Sequence, residues 1–425
     1  MSLMQDTFLV ISGIGLFYFL FGLRKFDFFS VAFLSACVYF LPGFVGYTVT
    51  PISVAERSLV DLEDGTYLVM IMVLIAILSG ALLVDHTPTR NAPTARLHGT
   101  DGSATWTLII AVTGYLLSAV TAGEALLSDD KIAMMERLNR WHIIGATAAP
   151  LGAVLSFALK RWLLFGISMI LLLFDLFIGF RVSLAVAMIA IFTLWLSRQG
   201  VQRLAIHNWK IGFTGLIVAL FLFVYAHLSQ AVKLGMWDVV VERLQDPDLY
   251  ITAIGMSEPF NTQTILNEVI AQKFVVGMGH LKDVFYQFTL FSPELGVKLV
   301  SFNDLFQPIL FPSDLDYGMA NNIWAEMLSS GGWPLLTGFI TIFVLVLVLG
   351  SYLIRSLDPT LAAGAALTFS YWAFYIHRND LAYQINLEKR VILMLGICVV
   401  LCQIFRLRVF GTENKAIRKT RASEV

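Results

Sequence analysis

Met319-Ala-Asn-Asn-Ile-Trp-Ala-Glu-Met-Leu-Ser-Ser-Gly-Gly-Trp333 closes the longest water-facing stretch of the chain, and Pro334 to Leu353 behind it carries no charged residue. About 20 apolar residues in a row cover the hydrocarbon core of a bilayer as one α-helix. A second apolar run, Trp209 to His227, stands in front of the stretch. This junction decides the fold: membrane helix, a polar segment from 229 to 333, membrane helix again.

The rest of the chain repeats the apolar half of that pattern. It is 57% hydrophobic and only 14% charged, with a mean hydropathy of +0.76. That is more apolar surface than a soluble domain covers, and continuous apolar windows mark an all-α polytopic membrane protein. A β-barrel is excluded, because its strands alternate in short polar and apolar steps. About eleven spans (10–12) are expected, near 7–23, 27–49, 66–85, 105–125, 141–158, 162–180, 182–198, 209–228, 334–354, 360–377 and 389–407. The organisation is then an N-terminal bundle over 1–228, a large loop with short helices over 229–333, C-terminal helices over 334–407 and a basic tail over 408–425. Met1 to Asp6 carry no positive charge and no cleavage site follows, so the first run reads as a retained helix. The net charge of −1 gives no basis for nucleic-acid binding. Cys37, Cys398 and Cys402 lie inside apolar runs as packing residues, without disulfide or metal spacing.

Orientation follows from the connectors. Arg24-Lys25, Arg90 with Arg96, Lys160-Arg161, Arg198 with Arg203 and Lys210, and Arg355 fall in alternate connectors. The tail adds Arg408, Lys415, Arg418, Lys419 and Arg421, whereas the second connector is acidic, with Glu56, Asp61, Glu63 and Asp64 against Arg57. The positive-inside rule puts the basic connectors and the C-terminus in the cytoplasm and the 229–333 segment outside. That segment contains helix-compatible pieces at 237–244, 261–274, 281–291 and 320–330, punctuated by Pro247, Pro259, Pro293, Pro308 and Pro312. Its phenylalanines 285, 288, 291, 302, 306 and 311 predict that it packs against the membrane surface rather than hanging in water.

Four cations break the rule. Arg181, in the turn Gly179-Phe180-Arg181, and Arg378, Lys389 and Arg390 fall at outer helix ends. Charge near membrane depth is costly and marks function, and a guanidinium grips phosphate as a planar fork. Together they form a candidate diphosphate site. Plain alternatives are a pairing of Arg181 with Asp175, of Arg378 with Asp380, and interfacial anchoring of Lys389 and Arg390 beside Glu388. Asp175, deep in the sixth span, reads as the structural partner of Arg181.

Glu326, His280 and Asp380 are the candidate bases for a hydroxyl acceptor. Asn322 lies four residues before Glu326 and so on the same helical face; Asn321, Trp324 and His377 complete the candidate substrate contacts. The alternatives are a helix cap for Asn321 or Asn322, with Glu326 solvated, and a plain surface histidine for His280. Gly331-Gly332 ends that helix. Asp314 and Asp316 lack the full calcium-loop pattern, and no nucleotide motif is present, so neither a metal nor a cofactor is expected.

Three local features carry a resemblance: the Gly-Phe-Arg181 turn; Gly277-Met-Gly-His280-Leu through Phe291-Ser-Pro293 to Asn321-Asn322, Glu326 and Gly331-Gly332-Trp333; and Tyr375-Ile-His-Arg378. With them the chain resembles the O-antigen and capsular polysaccharide polymerases, the Wzy-type integral membrane glycosyltransferases, with a GT-C-type helical fold. The resemblance implies a multi-pass protein of the bacterial inner membrane, with its catalytic face in the periplasm. Donor and acceptor would be oligosaccharides linked to undecaprenyl diphosphate. A flippase and a chain-length regulator would be its working partners. One departure is the Arg181 loop, a few residues here where such polymerases often have a second sizeable periplasmic loop. An O-antigen ligase and a lipid-linked oligosaccharide flippase remain the alternative readings.

Overall fold

A computed structural model describes residues 2–52, 57–86, 102–123, 138–210, 235–246, 257–285, 300–312, 319–356 and 358–405, with a few positions between 212 and 232. The expected span at 209–228 therefore lies largely outside the described residues. So do Glu56, Arg90, Arg96, Pro247, Phe288, Phe291, Pro293, Asp314, Asp316 and the basic tail.

Helix starts follow the capping chemistry of the sequence. Helix α1, Leu3–Phe21, is capped by the Ser2 side chain and leads to strand β1, Arg24–Lys25. Asp27 caps α2, Phe28–Tyr39, which runs into the short α3, Leu41–Val45. Strands β2, Tyr47–Pro51, and β3, Arg57–Asp61, form an antiparallel ladder that pairs Tyr47 with Asp61. Next come α4, Asp64–His86, and α5, Ser103–Ala122. The Asn139-capped α6, Arg140–Ala158, α7, Trp162–Phe177, and α8, Val182–Ser197, follow. Strand β4, Val201–Gln202, pairs antiparallel with β1, and α9 spans Leu204–His207.

The polar segment holds α10, Trp237–Gln245, α11, Glu258–Ala271, α12, Gly279–Phe285, and α13, Phe302–Leu310. Helix α14, Ile323–Ser356, is kinked at Gly331-Gly332; α15, Pro359–Phe374, ends in a 3-10 turn at Tyr375–Arg378, and α16 covers Leu381–Phe405.

The chain is thus all-α apart from two minimal ladders. Among the described residues, α1, α4, α5, α6 and the Ile323–Arg355 part of α14 are long and apolar enough to cross a membrane, and α2, α7 and α8 are shorter apolar helices. One core runs through helices from both ends of the chain: Phe28 packs on Phe369, and Trp324 packs on Phe339 and Phe343.

Polar contacts divide the described bundle into two faces. On one, Arg24 bonds Asp85 at the end of α4 and Asp27 before α2, Arg355 at the end of α14 reaches Asp27, and β1 pairs with β4. On the other, the β2–β3 ladder and the start of α4 hold α11: Thr48 Oγ1 lies 2.6 Å from Thr264 Oγ1, and Glu63 N donates to Asn267 Oδ1 at 2.8 Å. Asp27 and Tyr39 sit at opposite ends of α2, about 18 Å apart along its axis. The connectors around Arg24, Val201–Gln202 and Arg355 therefore share a face.

The polar segment differs from expectation in three ways. Helix α11 starts at Glu258 rather than 261, because Ser257 at the cap and Pro259 in the first turn set the start. The helix expected from 320 begins at Ile323, with Asn322 as its cap. Helix α13 was not expected at all. Ser301 and Asp304 form a full capping box for it, and Phe302, Phe306 and Leu310 bury one face at four-residue spacing. Thr262, Gln263 and Thr264 of α11 are fully buried.

Candidate functional site

Arg181 and Arg378 are 197 positions apart in sequence (378 − 181) and meet on one carboxylate. Glu258 Oε1 lies 3.5 Å from Arg181 Nη2 and is in contact with Arg378 Nη1. Each partner is placed by local chain geometry. Gly179, at φ 109°, turns the chain after α7, a left-handed position that a side chain resists. The turn is closed by Phe180 N donating to Asp175 O at 2.9 Å, which leaves Arg181 at the start of α8. Arg378 ends the 3-10 turn after α15, with its guanidinium 4.9 Å from the Tyr375 ring centre. Asn321 N donates to Arg378 O at 3.1 Å, so the turn is tied to the entry of α14. Tyr39, the last residue of α2, hydrogen-bonds Glu258. Burial works against the charge of Arg378, but Tyr375 and Glu258 outweigh it and hold its pKa above the ordinary arginine value. The side chains of Arg181 and Glu258 are 40% and 33% exposed, so the cluster opens to solvent with two positive charges and one negative.

Beside it lies a buried acid–imidazole pair. Glu326, wholly buried in the first turn of α14, lies 2.8 Å from His280 Nε2 in a hydrogen bond and accepts from Leu381 N at 2.7 Å. Val276 N donates to Ser329 O at 3.0 Å and holds the strand leading to His280 against the same helix. The helix is broken where expected: Gly332, at φ 66°, is in the left-handed region, and a Cβ at Gly331 would lie 2.7 Å from Leu335. Two residues lie between Arg378 and Leu381, so the backbone positions that carry the one cluster and hold Glu326 of the other are at most about 11 Å apart.

Other expected contacts have different places. Asp380 accepts from Ser301 Oγ at 2.7 Å, Phe302 N and Asn321 Nδ2 on Oδ2 and from Tyr383 N on Oδ1; it fastens α13 to the start of α16 and is only 2% exposed. Asn322 caps α14 through Trp324 N and Ala325 N, and its amide donates to Thr262 O at 2.8 Å. Trp324 Nε1 donates to His377 Nδ1 at 3.1 Å, and the His377 ring lies against Tyr39 and Phe40. Asn322, Trp324 and His377 are all 0% exposed. Asn321 is half-buried and joins Asp380 to the Arg378 turn.

The pairings weighed from sequence are corrected. Arg181 is bound to Glu258, not to Asp175; Asp175 is fully buried, with His142 Nε2 3.5 Å away. Arg378 is bound to Glu258, not to Asp380. Lys389 and Arg390 do not begin the last helix. Helix α16 starts at Leu381, so Lys389 lies about 12 Å farther along its axis.

Glu258, Tyr39 and Tyr375 are the residues that sequence reasoning missed. Ser257-Glu258-Pro259 is a helix-start signal with an acid in the first turn, and the acid should have drawn notice opposite two outer arginines. No signal in the sequence marks the tyrosines. No protein-family model, no curated protein and no solved structure matches the chain.

Proposed function

We propose that the protein is a glycosyltransferase that polymerises undecaprenyl-diphosphate-linked oligosaccharide units into O-antigen or a related surface polysaccharide. The observation that carries this reading is the convergence of Arg181 and Arg378 on Glu258, beside the buried Glu326–His280 pair. The chain crosses the bacterial inner membrane about eleven times in this reading. The arginine face is periplasmic, and the Arg24–Arg355 face and the C-terminus are cytoplasmic.

In the reaction, the acceptor hydroxyl at the non-reducing end of a new lipid-linked unit attacks the anomeric carbon of the growing chain. The bond from that carbon to the phosphate oxygen breaks, and the whole chain is transferred. His280 takes the hydroxyl proton, and Glu326 orients the imidazole and stabilises its charge. Glu326 itself is sealed from the acceptor, which makes the histidine the contact group. Arg181 and Arg378 neutralise the charge that develops on the departing undecaprenyl diphosphate. Energy comes from the phospho-sugar bond, so neither nucleotide nor metal enters the scheme.

The decisive experiment incubates purified protein with lipid-linked repeat units and sizes the products on a gel. A ladder that persists in chelator is expected. Transfer to lipid A core without a ladder identifies a ligase instead. Movement of intact lipid-linked units across liposomes without new bonds identifies a flippase.

A further inference from the structure

Glu258 occupies the position that an anionic substrate needs. Its Oε1 is the one atom that both Arg181 and Arg378 approach among their described ion pairs. The arginines belong to the bundle: Arg181 starts α8, and Arg378 is fixed through Asn321 and Tyr375. Glu258 belongs to the polar segment, in the first turn of α11. The anchors of α11 all lie beyond it. Asn322 Nδ2 bonds Thr262 O at 2.8 Å, Thr264 lies on Thr48, Thr66 bonds Asn267, and Thr50 Oγ1 bonds Glu268 at 3.2 Å. The Glu258 side chain therefore leaves the arginines by a rotamer change, with the body of α11 still held.

We propose that Glu258 is a resident latch: its carboxylate holds the two guanidiniums while the site is empty and is displaced by the diphosphate group of the substrate. This inference rests on the function proposed above and adds the means by which the site admits its anion. One carboxylate brings one negative charge to two cations. A diphosphate brings more charge and enough oxygens to take both guanidinium forks, so exchange favours the substrate. Displacement also uncovers the positive end of α11, whose Ser257 side chain makes no capping hydrogen bond. With the latch closed, two long side chains stay aimed at one point, which lowers the ordering entropy of binding.

The test is calorimetric titration of the full-length protein in detergent with inorganic diphosphate at fixed ionic strength. Glu258→Gln keeps the shape and removes the competing charge. It is expected to bind the probe about tenfold more tightly than wild type, because the competent fraction rises. Equal or weaker binding by this variant overturns the latch and makes Glu258 a positioning residue. Arg378→Ala separates this failure from failure of the function itself. If wild type and Arg378→Ala bind diphosphate alike, the anion site is wrong; if only the Glu258→Gln gain is missing, the latch alone is wrong. Repeating the titration in nanodiscs containing phosphatidylglycerol distinguishes a lipid headgroup from diphosphate. The tenfold gain is expected to survive there, and its disappearance assigns the latch to bulk anionic lipid and overturns the proposal.

Discussion

Two arginines share one carboxylate at each end of the bundle. At the first, Arg24 and Arg355 flank Asp27, which is fully buried and caps α2. At the second, Arg181 and Arg378 flank Glu258. The first cluster is closed. Asp85 brings a second negative charge to Arg24 at 2.9 Å, Ser30 takes another guanidinium nitrogen at 2.7 Å, and the sum of charges is zero. The second is open, with a third of Glu258 exposed and one positive charge in excess. The same three ionic groups thus make a clasp where Asp85 neutralises them and, in the function proposed above, an anion receiver where no other described residue does. Burial and charge balance separate structure from function here, and residue type does not.

The largest effect expected is loss of long-chain glycan when the open cluster is broken. Arg181→Ala combined with Arg378→Ala leaves an inserted protein that makes no ladder. Either single change lowers turnover by about two to three orders of magnitude, the usual loss for one donor to a developing anion. Arg378→Lys does not restore activity, because an ammonium has no planar fork to lie over Tyr375 and reach the anion at once. Turnover assays on lipid-linked repeats check this; normal chain lengths in both single variants would dismiss the open cluster as an anion site. Next comes the neighbouring pair. His280→Ala is expected to lower turnover by about two to four orders of magnitude. Glu326→Gln is expected to do the same with donor affinity unchanged, and a loss confined to KM would remove the pair from proton transfer.

The sequence was most legible where physics acts over a short stretch. The apolar runs, the Gly331-Gly332 break and the placement of Arg181 and Arg378 at helix ends each need only neighbouring residues. Partners were illegible for the opposite reason. Asp175 is six residues before Arg181, and Asp380 two after Arg378, yet both arginines turn to Glu258 on a helix of the polar segment. Sequence proximity favoured the wrong acids because the turns at Gly179 and Tyr375–Arg378 aim the side chains outward. Burial was illegible as well: Asn322 and Glu326 share a face as expected, but that face points into the protein, where one becomes a cap and the other the partner of His280.

A smaller effect is expected at the closed cluster. Asp27→Ala removes the carboxylate that Arg355 reaches and one of the two that hold Arg24, which is almost wholly buried. Removing one member of a buried ionic group costs about 3–5 kcal/mol. Thermal unfolding in detergent should register that loss, while turnover per folded molecule stays at the wild-type level. A drop in specific activity with stability intact would give the closed cluster a functional role and erase the contrast between the two ends.

The smallest effect is the stability change at the open cluster. Glu258→Gln removes an ion pair that is one-third exposed and screened by water. Such pairs are worth under about 1 kcal/mol. Unfolding of Glu258→Gln should therefore be nearly indistinguishable from wild type, and far from that of Asp27→Ala. This small number carries weight because each variant removes the carboxylate charge that two arginines share. If Glu258→Gln destabilises the protein as much as Asp27→Ala, the open cluster holds α11 to the bundle, and its excess charge serves the fold rather than a ligand.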